Sequence, residues 1–71
     1  MSVTDLKIAV DVKNWKKTDS ILQHFDILYD ITKSKKLNGY SIIEFYSLND
    51  YNIVTSKMNK YSIPYKDNVS S

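Results

Sequence analysis

Polar and apolar side chains alternate along two stretches of this chain and recur at helical spacing along two others. Leu6, Ile8, Val10 and Val12 alternate with Lys7, Ala9, Asp11 and Lys13. That is the period of a strand with one buried face, and its β-branched content suits a strand. Trp15, Thr18, Ile21, Leu22 and Phe25 then fall three or four apart. This spacing predicts an amphipathic helix of about three turns, with Asn14 as its cap and Lys16, Lys17, Asp19, Gln23 and His24 on its polar side. A second strand is expected over residues 28–32. The Asn38-Gly39 step marks the turn that reverses the chain, because both residue types tolerate positive φ. Strict alternation resumes at once. Tyr40, Ile42 and Glu44 point one way and Ser41, Ile43 and Phe45 the other, predicting a third strand over 40–46 with Ile43 and Phe45 inward.

Ser47 with Asp50 resembles a capping box, with Asp in place of the usual Glu. A second helix is expected over 48–60, with Leu48, Tyr51, Met58 and either Val54 or Thr55 toward the core. Pro64 forbids helix there, so residues 62–66 are expected to form a short last strand and 67–71 a frayed tail. The order is strand, helix, strand, strand, helix, short strand. It predicts an α+β fold of the ferredoxin-like, split β-α-β kind. Its four-stranded antiparallel sheet would have the first and third strands at the centre and two helices on one face. No internal repeat, low-complexity segment or linker is evident.

Length narrows the possibilities. Seventy-one residues make one domain, with a core expected at about 5–66. A domain this small leaves little room for a catalytic cleft beside a full core. There is no Cys, one His and one Gly. Disulfides, thiolate chemistry, a Gly-rich phosphate loop and a Ser-based triad are therefore not expected, nor is a metal or other cofactor. No catalytic residue is nominated and the chain is not read as an enzyme. No apolar run approaches a membrane span, and residues 1–5 do not resemble a signal peptide. An intracellular setting, in nucleus or cytoplasm, is expected. The net charge is only +2, and all ten basic residues are Lys. Arg would offer planar, bidentate contacts to bases and phosphates; any nucleic-acid contact here would rely on Lys, Tyr and main chain. An AT-rich coding sequence would by itself favour Lys, Asn, Ile and Tyr.

Asn38-Gly39-Tyr40-Ser41-Ile42-Ile43-Glu44-Phe45 resembles the octapeptide of the RNA recognition motif family. That pattern runs basic, Gly, aromatic, Gly or Ala, aromatic, aliphatic, any, aromatic. Gly39, Tyr40, Ile43 and Phe45 match and Ser41 nearly does, while Asn38 and Ile42 depart. Asp50 and Asn59 stand where the family commonly has those residues, and Phe25-Asp26-Ile27-Leu28 is similar to its Phe-Gly-x-Ile, with Asp26 in the Gly position. The resemblance covers about residues 6–65. It places the first-strand hexapeptide at residues 8–13, with Ala9 where a stacking ring is usual. Ile42 replaces a second ring, and Lys60 replaces the Gly that commonly follows Asn59. Tyr40 is the one stacking ring retained.

Two functional expectations follow. In the first, the sheet face binds single-stranded RNA weakly. Tyr40 stacks a base, Ile42 packs on a sugar, and Lys7, Lys33, Lys35 and Lys36 hold phosphates. Against it, Asp11 and Glu44 share that face and repel phosphate. In the second, the same fold is a protein-interaction module, such as a degenerate recognition motif or a small virus-encoded inhibitor, and takes no nucleic acid. Trp15 is expected in the core or at its rim. Tyr61 and Tyr65 either cap the sheet or extend an RNA surface.

Overall fold

In the computed structural model, residues 6–67 are described; the expected tail, apart from its first residue, lies outside them. The chain forms β1 (Lys7–Asp11), a 3-10 turn (Val12–Asn14), α1 (Trp15–His24), β2 (Tyr29–Lys33), β3 (Tyr40–Phe45), α2 (Leu48–Lys60) and a short β4 (Lys66–Asp67). The sheet is four-stranded and ordered β2-β3-β1-β4. All three strand pairs are antiparallel. Ile8 faces Ile43 across the central pair, and Ile31 continues that row on β2.

One face of the sheet carries the core. Ile8, Val10, Ile43 and Phe45 pack with Ile21 and Leu22 of α1 and Val54 and Met58 of α2, so both helices lie on that side. The two buried hydroxyls are satisfied within their own helices. Thr18 Oγ1 donates to the Asn14 carbonyl at 3.0 Å and Thr55 Oγ1 to that of Tyr51 at 2.8 Å. Trp15 sits at the rim, half-buried, with its ring edge-on to Tyr29 at 6.3 Å between centroids.

Several expectations needed correction. Val12 does not continue β1: the chain tightens into the 3-10 turn and Val12 is exposed. That turn is capped by Asp11, whose carboxylate accepts from the Lys13 amide at 2.9 Å. Asn14 makes no side-chain cap bond to α1. Ser47 does cap α2, its hydroxyl accepting from the Asp50 amide at 3.1 Å. Leu48, the first residue of that helix, points outward and is 53% exposed. β2 begins and ends one residue later than expected, and β4 overlaps the expected 62–66 strand only at Lys66, continuing to Asp67. Of Asn38 and Gly39, only Gly39 takes positive φ, at 80°. The 34–39 loop is closed by Ser34, whose amide donates to the Tyr40 carbonyl at 3.0 Å and whose hydroxyl accepts from Leu37 at 2.9 Å.

Both helices stop in the same way. After α1, Asp26 takes φ 54°, its amide donates to the Gln23 carbonyl, and the Ile27 amide reaches the Leu22 carbonyl at 2.9 Å. After α2, Ser62 takes φ 57°, its amide donates to the Asn59 carbonyl, and the Ile63 amide reaches the Met58 carbonyl at 2.8 Å. These are two Schellman closures, each with its apolar contact in place, since Ile27, Leu22, Ile63 and Met58 are all buried. A repeat missed in the sequence now becomes visible. Phe25-Asp26-Ile27-Leu28-Tyr29 and Tyr61-Ser62-Ile63-Pro64-Tyr65 occupy equivalent places in the two halves.

Left-handed backbone costs a residue with a Cβ roughly 1–2 kcal/mol, less for Asp, whose short polar side chain tolerates it. Ser62→Gly should therefore stabilise the fold by about 1 kcal/mol and Asp26→Gly by less. Gly39→Ala should cost about 1 kcal/mol, all of it conformational, because a Cβ there meets nothing within 4 Å. Urea unfolding of the three variants checks the order; a destabilised Ser62→Gly would refute the strain argument.

Candidate functional site

The sheet face away from the helices is laid out in three rows by strand register. The first holds Lys7, Glu44 and Asp30; the second Lys66, Ala9, Ile42 and Thr32; the third Asp11 and Tyr40. Tyr46 follows Glu44 beyond the end of β3, and its hydroxyl donates to the Asp30 carboxylate, 3.0 Å from both oxygens. That bond, together with the charges of Asp30 and Glu44, raises the Tyr46 phenol above its ordinary pKa.

The middle row is closed rather than open. Ala9 is fully buried and Ile42 is 2% exposed, although neither faces the helices. Ile42 is thus not available to pack on a ligand unless its neighbours move. Tyr40 is half-buried, and the Lys66 ammonium lies over its ring, 5.8 Å from the centroid. Lys66 was not among the expected site residues. It reaches this face because β4 pairs Lys66 with Ala9, with Tyr65 before it turned to the core.

The expected cluster of lysines divides. Lys7 shares the face with Tyr40 but lies two rows away, about 13 Å along the strand at roughly 3.3 Å per residue; its opposite number is Glu44. Lys33 pairs with Ser41 and so belongs to the helix side of the sheet. Lys35 and Lys36 are exposed on the 34–39 loop, at the Tyr40 end. Only these two accompany Tyr40 as expected, and Asp11 stands directly opposite it. Counting side chains on the three rows, Asp11, Asp30 and Glu44 outnumber Lys7 and Lys66. Among the described residues no group of three His, Asp or Glu side chains gathers where it could hold a metal ion.

Tyr65 and Tyr61 are not on this face. Tyr65 packs against the core, and Tyr61 is exposed on the helix side beside Ser20, Ile21 and Lys57. Phe25, expected in the core, is also on the helix side, partly exposed, with the Lys57 ammonium 5.7 Å from its ring centre and His24 edge-on at 4.8 Å. Ile31 faces the helix side as well, as the partner of Ile43, yet it is 46% exposed because β2 is an edge strand. Leu28, expected to begin that strand, is also exposed. None of the described helices is long and apolar enough to cross a membrane.

No family model, curated protein or solved structure matches the chain.

β4 is only two residues long, so its position depends on side chains. Tyr51 of α2 packs edge-on against Phe45, 5.9 Å between centroids, and its hydroxyl donates to the Asp67 carboxylate. Burial first, then the bond to Asp67 and its charge, push the Tyr51 phenol from 10.0 up to about 12. The folded chain holds this proton to higher pH than the unfolded chain. The contribution is therefore whole below pH 10 and is lost as pH rises from 10 toward 12. Tyr51→Phe should cost about 1 kcal/mol at neutral pH. The difference from the parent should shrink across that alkaline window. Denaturation series at pH 8 to 12 on both proteins would show it; a constant difference would count against the Tyr51–Asp67 bond.

Proposed function

We propose that this chain is a small protein-docking module on an eroded recognition-motif frame, and neither a nucleic-acid binder nor an enzyme. The element order and the strand order β2-β3-β1-β4, read from the other edge as 4-1-3-2, fit the ferredoxin-like split β-α-β arrangement and hence that frame. The observation that carries the functional reading is the displacement of exposed apolar surface. Phe25, Ile31 and Tyr61 are exposed on the helix side, with Val12, Leu28, Tyr46 and Leu48 exposed besides. The middle of the sheet face has buried its own aliphatic pair. Phe25 and Tyr61, two exposed rings lining one groove between the helices, suit a protein partner.

The sheet face offers RNA little by comparison. It has two rings, Tyr40 lying under the Lys66 ammonium and Tyr46 tied to Asp30, and three carboxylates among its rows. Phosphate binding needs a local excess of cations; Lys35, Lys36 and Lys66 stand near Tyr40 with Asp11 opposite it, while Asp30 and Glu44 oppose any extension of that site along the sheet. The absence of Cys suits an intracellular module.

Fluorescence anisotropy with a labelled ten-nucleotide single-stranded RNA pool at low salt tests this. The expected result is no binding, and no change on Tyr40→Ala. Affinity that falls steeply with salt, and drops by roughly 1–3 kcal/mol on Tyr40→Ala, would instead establish the RNA reading.

A further inference from the structure

A groove runs between α1 and α2 on the side of the molecule away from the open sheet face. At one end it is lined by Ser20, Ile21, His24, Phe25, Lys57 and Tyr61 and encloses about 300 Å³. It continues past Lys17 toward Ile63. On α1 the lining residues Lys17, Ser20, Ile21 and His24 recur at the spacing of one helix face, and on α2 Lys57 and Tyr61 are one turn apart. The volume is at the lower end of what small-molecule sites enclose. It has room for one anchoring side chain of a partner.

None of the lining residues is acidic, whereas Lys17 and Lys57 border the groove and the Lys60 ammonium stands 5.8 Å from the Tyr61 ring centre. Asp11, Asp30 and Glu44 are on the opposite face of the sheet. Lys57 and Lys60 have a local explanation, because cations are favoured in the last turn of a helix. Lys17 has none. It sits in the first turn of α1, a turn with no acidic residue, where the helix dipole opposes a cation. Its charge at the groove contributes nothing to the helix that carries it. The groove floor is apolar, with Ile21 and Ile63 buried beneath the edges of Phe25 and Tyr61.

We infer that this groove docks an acidic partner segment bearing an aromatic or aliphatic anchor. The anchor enters between Phe25 and Tyr61, and carboxylates on either side of it meet Lys57 and Lys17. Lys57 then leaves the Phe25 ring for a carboxylate, and the ring becomes the wall of the anchor pocket. The inference rests on the protein-docking reading and names the surface and the chemistry of the partner.

The test is a two-dimensional ¹⁵N NMR titration of the whole chain with three acetylated, amidated hexapeptides of sequence EDFLDE, KKFLKK and EDAADE. The expected result is that EDFLDE shifts the amides of Lys17, Ser20, His24, Phe25, Lys57 and Tyr61 and binds most tightly of the three. Two exposed ion pairs contribute together on the order of 1 kcal/mol, so Lys17→Glu with Lys57→Glu should weaken EDFLDE about fivefold and strengthen KKFLKK. Phe25→Ala should weaken EDFLDE with its charge preference intact. The spectra themselves report whether each variant is folded. Shifts confined to the sheet face, equal binding of all three peptides, or no shift at millimolar EDFLDE would each overturn the groove. Shifts that track the concentration of the chain alone would do the same, and would point to a second copy as the occupant. Failure of EDFLDE while the RNA pool also fails to bind removes this groove and leaves protein docking standing. Salt-sensitive RNA binding lost on Tyr40→Ala removes the docking reading itself.

Discussion

Each helix of this chain ends by turning an isoleucine into the core, and most of the remaining geometry depends on that turn. The long bonds from Ile27 to Leu22 and from Ile63 to Met58 require a left-handed residue between helix and isoleucine. Neither Asp26 nor Ser62 is the glycine that would take this conformation at least cost. Packing of Ile27 and Ile63 against Leu22 and Met58 offsets the strain, since each fully buried aliphatic side chain is worth roughly 1.5–3 kcal/mol. The same turn that brings the isoleucine inward leaves the helix-capping residue, two positions earlier, pointing outward. Phe25 and Tyr61 are exposed for that reason, and the groove between the helices lies between them. It also sets where β2 and β4 begin, and so which residues reach the sheet face.

The parts legible in the sequence are those with a strong local rule behind them. The span of α2 follows from its Ser47 cap and the proline beyond its end, and β1 and β3 from alternation. Where structure and pattern part, the period runs on past the end of the element that gives it meaning. Phe25 lies at helical spacing from Ile21 but is already the cap of α1, where the chain is turning, so the period no longer says which way it points. Leu48 opens α2 before the helix has closed onto the core. Val12 continues the alternation of β1 but sits in a 3-10 turn. Lys33 is expected in the loop with Lys35 and Lys36, but β2 runs one residue further and pairs it with Ser41, which puts it on the helix side of the sheet. Lys66 was readable: Ile63 and Tyr65 face the core and alternate with it, which puts Lys66 on the open face whatever the bounds of β4. The paired Phe25-Asp26-Ile27 and Tyr61-Ser62-Ile63 segments were readable in principle. Their first residues differ in polarity and their second in charge, and only the shared φ makes the likeness plain.

Magnitudes help decide what the sheet face can do. A cation over a Tyr ring at an exposed site is worth about 0.5–1 kcal/mol, and a stacked base about 1–3 kcal/mol. Lys66 could therefore be displaced from Tyr40, and its position alone does not close the face to RNA. The missing second platform weighs more. Ala9 and Ile42, directly paired at the centre, have no ring to offer, and their burial means that exposing them to a ligand first uncovers apolar surface. Asp30 and Glu44 are themselves directly paired, a like-charge contact that disfavours any further anion nearby. Tyr46 spends its hydroxyl on Asp30 and is held at that end of the face.

The division of charge is local: Asp11, Asp30 and Glu44 outnumber Lys7 and Lys66 over a sealed sheet centre, and Lys17 and Lys57 border an unsealed groove that no carboxylate lines. Local stability accounts for only part of this division. A lysine at the C-terminal end of α2 follows from the helix dipole, but Lys17 at the N-terminal end of α1 runs against it, and the Asp30–Glu44 pair runs against simple repulsion. Lys17 at the groove and the Asp30–Glu44 pair on the sheet face each cost their own element something, and together they favour an acidic partner at the groove over one at that end of the sheet.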